Sequence, residues 1–231
     1  MAQMTRVALI PAYEPGRELP PLAAALREAG LEVVVVDDGS GPRFDGIFGA
    51  CEPFADVVRD SKNGGKGHAL KVGFRRIVET VPVPFSVVTL DADGQHSVED
   101  ALKTLAVAEV HPGELVLGSR EFDGEVPLRS RFGNGVTRLV FRLMTGISVR
   151  DTQTGLRAFG SDMADFMLAI AGERYEYEMN VLLTCARDHV RMREIDIRTI
   201  YIDNNASSHF STLKDSARIY KTILSFRRAS R

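Results

Sequence analysis

Apolar residues fall along this chain in two alternating rhythms, short continuous runs and longer stretches at helical spacing. Arg6 to Ile10 reads as a first buried strand, stopped by Pro11-Ala12-Tyr13-Glu14-Pro15-Gly16. Leu19, Leu22, Ala23, Leu26 and Ala29 then repeat as one face of a helix that Gly30 closes. Leu31 to Val36 is a second strand ending in Asp37-Asp38-Gly39-Ser40, and this strand-helix-strand unit predicts a parallel pair with a right-handed crossover. Ala55 to Val58 gives a third strand, and Asn63-Gly64-Gly65-Lys66-Gly67-His68 opens a helix through Val72, Phe74, Ile77 and Val78.

Phe85 to Leu90 is too short and too β-branched for a helix and reads as a central strand. Ser97 caps a helix carrying Ala101, Leu102, Leu105 and Val110, and Leu115 to Leu117 is another buried strand. A helix through Leu139, Val140 and Leu143 follows. Asp151 to Phe159, polar and then apolar, is expected on an edge strand behind a loop. Met163 to Ile170 reads as a short helix, and another begins near Tyr175 with Val181, Leu182, Cys185 and Ala186 inward. Glu194 to Ile202 alternates as a strand, and Thr212 to Arg228 forms a basic amphipathic helix suited to anionic lipid or to the domain's own core. Strands alternating with helices predict an α/β protein with a mostly parallel central sheet, and 231 residues suit one domain spanning 1–231.

Composition narrows the partners. A formal net charge of -2 gives no general affinity for nucleic acid. Cys51 and Cys185 lie far apart without metal-ligand spacing, so buried reduced thiols are expected. The first strand begins almost at once, which argues against a signal peptide, and no apolar stretch approaches a membrane span. The expectation is a cytoplasmic protein, or one peripheral on the cytoplasmic membrane face.

The chemistry concentrates where strands end. Asp91 and Asp93 emerge at the carboxyl end of the Phe85–Leu90 strand, where open α/β sheets bind ligands. Two carboxylates one residue apart, with the Gln95 amide in reach, suit a hard cation such as magnesium or manganese that keeps positions for substrate phosphates. Tyr13 can stack on a flat ring. Asp38 suits a base or ribose, and equally a cap or turn. The glycines before Lys66 let backbone approach an anion, but the spacing is not that of a P-loop, and Lys66 reads as a nucleotide or phosphate contact. Arg120, Arg129 and Arg131 flank one acidic, glycine-containing segment, and guanidinium groups suit phosphate.

In this order the pieces Pro11-Ala12-Tyr13, Val36-Asp37-Asp38-Gly39-Ser40, Asn63-Gly64-Gly65-Lys66-Gly67, Asp91-Ala92-Asp93 with Gln95, and Gly118-Ser119-Arg120 resemble glycosyltransferase family 2. Ser130-Arg131 with Asn134, Asp151-Thr152-Gln153-Thr154-Gly155-Leu156-Arg157 and the Tyr201–Phe210 stretch look like its dolichyl-phosphate mannose synthase and bacterial polyprenyl-phosphate branch. The resemblance implies a GT-A, Rossmann-like three-layer fold and an inverting, metal-dependent transfer. The sugar would pass from a UDP- or GDP-linked donor to a polyprenyl phosphate. It implies that Tyr13 and Asp38 hold base and ribose, with Pro11, Glu14, Lys66 and Ala92 also on the donor side. Asp91, Asp93 and Gln95 would hold magnesium or manganese; Arg120, Arg131 and Ser130 would hold the acceptor phosphate. Ser208 and His209 stand where several relatives carry a serine-lysine pair, and Glu14 and Pro15 where many carry asparagine and glutamate. Bacterial relatives often append membrane helices, so a separate membrane partner or a homo-oligomer enters the expectation. Transfer to a polysaccharide or protein hydroxyl, and a non-catalytic sugar-nucleotide-binding role, are the alternatives.

Overall fold

The computed structural model of the chain describes residues 4–120 and 128–198, the side chains of 128–134 and 136 excepted. The first half runs β1 (Thr5–Ala12), α1 (Leu19–Glu28), β2 (Glu32–Asp37), α2 (Asp45–Cys51), β3 (Asp56–Arg59), α3 (Lys66–Thr80) and β4 (Phe85–Thr89). The second runs α4 (Val98–Glu109), β5 (Leu115–Arg120), α5 (Leu128–Thr145), β6 (Arg157–Gly160), α6 (Ala164–Ala169), α7 (Glu176–Arg187) and β7 (Met192–Ile197). The strands form one seven-stranded sheet in the order β3-β2-β1-β4-β6-β5-β7. Every pairing is parallel except those of β6, which runs antiparallel to β4 and to β5.

Alternation along each strand builds the two cores. In β1, Val7 and Leu9 face α3, α6 and α7, while Ala8, Ile10 and Ala12 face α1, α2 and α4. Both faces are covered, which is why the strands read as unbroken apolar runs rather than alternating ones. The helices on one side centre on Phe74, Phe159 and Tyr177, those on the other on Leu26, Phe48 and Leu105. Cys51 and Cys185 are free, buried thiols, and burial pushes them up to about 11 and about 12.

One expectation changes, and the structure adds features that the sequence did not show. The strand expected at an edge is β6, and it sits inside the sheet with Ala158 and Phe159 fully buried. The polar run before it is buried as well, with Asp151 and Thr154 satisfied by internal partners, so polarity there does not signal exposure. The helix expected through Leu139, Val140 and Leu143 turns Thr137 and Phe141 inward, leaving Leu139 58% and Leu143 75% exposed. The short α2, with two glycines, carries too little periodicity to be seen in the sequence. The last strand ends at Ile197, and the expected Thr212–Arg228 helix lies outside the described residues. Among the described residues no helix is long and apolar enough to cross a membrane.

Topology brings the polar loops to one edge. The parallel strands β1, β2, β4 and β5 all end there, carrying Tyr13, Asp38, Asp91 and Arg120 just beyond or at their last residues. Because β6 runs the other way, it delivers its first residue, Arg157, and the preceding 151–156 loop to that same edge. The chain leaves β1 for β2 on one side and later returns to β4 on the other, which makes the β1/β4 crevice the switch point where such sheets bind ligands.

Candidate functional site

Asp38, only 3% exposed, organises one wall of the crevice. Its Oδ1 accepts the Gly64 N–H at 2.8 Å, and its two oxygens accept the Gly65 N–H at 3.1 and 2.8 Å. Burial pushes the Asp38 carboxyl up, and the Gly64 and Gly65 amides offset this only in part. Of the two readings open for Asp38, the cap is the one these bonds express: its carboxylate fixes the glycine turn that launches α3. Gly65 has φ of 106°, and a Cβ there would lie 2.6 Å from the Glu173 carbonyl oxygen, so no other residue fits.

The turn aims Lys66, the first residue of α3, into the crevice. Its Nζ lies 2.6 Å from Asp91 Oδ1 and 2.9 Å from Glu178 Oε1. Burial alone would lower the Lys66 ammonium, but the Asp91 and Glu178 charges outweigh it and hold the group protonated. Burial would likewise raise Asp91, yet Lys66 and then His96 keep its carboxyl well below the usual carboxylate range. His96 Nε2 sits 3.6 Å from Asp91 Oδ2. Its Nδ1 is buried without a hydrogen-bond partner among the described residues.

The far side of Asp91 is shaped by the 151–156 loop. A Cβ on Gly155 would fall 2.3 Å from Asp91 Oδ2, so the carboxylate packs directly on that backbone. Thr89 Oγ1 donates to the Gly155 carbonyl at 2.7 Å, and Arg157 donates to the Thr154 carbonyl at 3.0 Å and the Glu178 carbonyl at 2.8 Å. Arg157 thus ties this loop to the first turn of α7, which carries Glu178.

Asp93 accepts the Gln95 N–H at 3.1 Å. Burial pushes its carboxyl up, and the Asp91 charge pushes it further, so the two carboxylates share one environment. Among the described residues no three His, Cys, Asp or Glu side chains are grouped to hold a metal ion by themselves. Two carboxylates and an amide oxygen still fit a hard cation that completes its shell with substrate phosphate and water.

Tyr13 and Glu14 follow β1, whose Pro11 pairs with Val36. Burial and a bond to the Glu14 side chain raise the Tyr13 hydroxyl, which also feels Asp38 and Arg174. Glu14 adopts φ of 47°, and its N–H donates to Ser40 Oγ at 2.8 Å. Ala92 is partly buried between the two aspartates. Arg120 is held two-pronged by the fully buried Asp151, at 2.7 and 3.3 Å, and keeps a quarter of its side chain exposed. Ser130 and Arg131 lie in the first turn of α5 with side chains outside the described residues, and His209 lies outside the described residues altogether. Sequence reasoning missed Glu178, His96, Arg174 and Asp151 as participants. Glu178 and Asp151 pair with residues distant in the chain, and Asp151 and His96 lay within segments the sequence had marked without being singled out.

Comparison with known proteins gives three consistent findings. The family model described as Glycosyl transferase family 2 matches residues 7–168. An undecaprenyl-phosphate mannosyltransferase of Micrococcus luteus is 30% identical over 207 residues, covering 84% of this chain and 83% of that protein. A UDP-N-acetylglucosamine–dolichyl-phosphate N-acetylglucosaminyltransferase of Methanococcus voltae is 27% identical over 226 residues, covering 88% of each chain. In fold, the chain matches glucosyl-3-phosphoglycerate synthase of Mycobacterium tuberculosis, solved with manganese, uridine diphosphate and glucosyl-3-phosphoglycerate. That match has a TM-score of 0.72 at 16% identity, over 97% of this chain and 80% of the other.

Proposed function

The chain belongs to glycosyltransferase family 2 and has the GT-A fold, and from that premise we propose that it transfers a sugar, with inversion, from a nucleotide diphosphate to a polyprenyl phosphate. The relatives from Micrococcus luteus and Methanococcus voltae bear names of transferases to undecaprenyl and dolichyl phosphate, which supports the acceptor class. The observation that carries the reading is the charge arrangement at the β1/β4 crevice: Asp91 and Asp93 together, with Lys66 fixed against Asp91.

In this reading Asp91, Asp93 and the Gln95 amide hold magnesium or manganese. Once bound, the ion supplies Lewis-acid stabilisation of the charge that grows on the leaving diphosphate. Lys66 sets the position of Asp91 and adds a second positive charge beside the same phosphates. Tyr13, at the neighbouring strand end, stacks on the base, and Pro11, Glu14, Asp38 and Ala92 shape the donor's surroundings. Arg120, held by Asp151, meets the acceptor phosphate together with Ser130 and Arg131, and His209 belongs to the donor side at the diphosphate. That phosphate is already anionic near neutral pH, so the attack needs no strong base, and the protein's task is alignment and screening of repulsion. A lipid acceptor places the enzyme at a membrane surface.

A thermal-shift panel of UDP- and GDP-sugars, with and without manganese, tests the donor side. One nucleotide class at about a hundred times its dissociation constant should stabilise the protein by about 2.7 kcal/mol, a rise in Tm of about 5–10 °C, and only with metal. No shift from any nucleotide sugar, or shifts indifferent to metal, would refute the donor assignment.

A further inference from the structure

Two helix starts lock together behind Lys66. The His68 N–H donates to the Glu173 carbonyl at 2.8 Å, which joins the first turn of α3 to the loop before α7. Gly67 leaves no gap in the seam, because a Cβ there would run into Tyr177, and one on Gly65 would run into Arg174 and the Glu173 carbonyl. Charge closes the same seam: Glu173 pairs with Lys71, whose side chain is 9% exposed, and with His68 at 3.2 Å. Tyr177 donates to the Met167 carbonyl at 2.8 Å, and Arg157 donates to the Glu178 carbonyl at 2.8 Å, so the first turn of α7 is fixed from below. Lys66 and Glu178 are therefore carried by one packed unit, with Nζ 2.9 Å from Oε1. Asp91 comes from elsewhere, beyond the end of β4 at Thr89. It is also the most open of the three, with 31% of its side chain exposed against 16% for Lys66 and 14% for Glu178.

Lys66 thus has one partner on its own rigid unit and one that the proposed reaction needs for another task. In the bare crevice the ammonium is shared, 2.6 Å from Asp91 and 2.9 Å from Glu178. A lysine is a compact charge on a flexible stem, and with Asp91 as its only carboxylate it would compete with any hard cation for those oxygens. We propose that Glu178 is a positioning residue for Lys66: it keeps the ammonium at the crevice wall when Asp91 turns its charge to a bound divalent cation, so that the lysine faces the donor's phosphates instead of competing with the metal. The inference rests on the reading of Asp91 as a metal ligand and deepens it, by giving a task to a carboxylate that meets neither metal nor substrate in that reading. The two ends of Glu178 serve separate purposes. Its side chain holds Lys66 and its main-chain carbonyl holds Arg157, so a change of side chain leaves the tie between α7 and the 151–156 loop in place.

The test is manganese binding to the full chain without nucleotide, read from the electron paramagnetic resonance signal of free manganese. Glu178→Gln should weaken binding roughly tenfold, because Lys66 then leans wholly on Asp91. In the Lys66→Met background the same substitution should change binding by less than about threefold, since the lysine through which Glu178 acts is gone. Equal losses in the two backgrounds overturn the proposal and give Glu178 a direct effect on the metal through its own charge. A second readout needs no variant: acetylation of Lys66 by an amine-reactive ester, followed by mass spectrometry, should be as slow in wild type with manganese as without it. A severalfold acceleration would show the lysine swinging into solvent on loading and would overturn the proposal. Wild type that binds manganese equally with Glu178→Gln overturns the proposal alone. Wild type that binds no manganese counts against Asp91 and Asp93 as metal ligands and overturns the proposal with them.

Discussion

Asp93→Ala should abolish transfer, lowering kcat/KM by roughly a thousandfold or more, while the protein folds as well as wild type. The asymmetry follows from the surroundings of Asp93. Burial and the neighbouring Asp91 charge both oppose its ionisation, so the carboxylate costs the fold something and returns it only when a cation or substrate is bound. Alanine removes that cost. The variant's Tm without ligand should therefore equal or exceed the wild-type value, while the manganese-dependent rise with nucleotide sugar disappears. Retained turnover in the presence of metal would remove Asp93 from the catalytic set. A collapsed Tm would show instead that the residue is structural.

Lys66→Met should have the opposite signature, a large loss of stability. The substitution strands Asp91 and Glu178, both mostly buried, without the ammonium that sits 2.6 and 2.9 Å from them. Breaking a buried pair by removing one partner costs about 3–5 kcal/mol, and Asp91, with 31% of its side chain exposed, argues for the lower end. A loss of about 3 kcal/mol corresponds to a fall in Tm of about 6–12 °C for a chain of this size. Acid separates the two proteins further. In wild type the folded Asp91 carboxyl lies below its unfolded value near 4, so its stabilisation is complete above about pH 4 and is lost as the pH falls toward the folded value. In the variant, burial without Lys66 raises the same carboxyl, so acid relieves a penalty. The stability gap between the two should narrow as the pH drops from 7 toward 4. Manganese alone, without nucleotide, should raise the variant's Tm more than that of wild type, because Asp91 is no longer engaged by an internal cation. Equal melting curves for the two proteins across this pH range would show that Lys66 is solvated and does not set the charge of Asp91.

The fold was largely legible because a sheet covered on both faces writes itself as short apolar runs between helical repeats. Leu31 to Val36 and Phe85 to Leu90 could be nothing else. The second half resisted for physical reasons. The loop before β6 is polar yet buried, since Asp151 has Arg120 and Thr154 accepts the Leu156 N–H, so a central strand read as an edge. Along α5 the spacing of Leu139 and Leu143 marked the helix but not its buried side, because periodicity reports a stripe and not what the stripe faces.

The candidate site divides in the same way. Tyr13, Asp38, Lys66, Asp91 and Asp93 were visible because each closes an apolar run or opens a helix, and the parallel topology carries them to one edge. Their partnerships were not. Lys66 was expected to meet a phosphate and lies against Asp91 and Glu178, the latter more than a hundred residues away in sequence. Asp38 was read equally as a ribose contact and as a cap or turn, and its bonds to Gly64 and Gly65 hold the glycine turn. Gly155 carried no signal of its own, yet its missing side chain leaves the space that Asp91 fills.

The most direct test is a transfer assay with labelled nucleotide sugars, manganese and either a polyprenyl phosphate or the corresponding phosphate-free polyprenol in detergent, read by extraction into organic solvent. The expected result is label in the lipid fraction with the phosphate acceptor alone, with the anomeric configuration inverted and the signal lost on chelation. Label on the polyprenol or on a polysaccharide hydroxyl but not on the phosphate, or donor that stays intact whatever the metal, would contradict it.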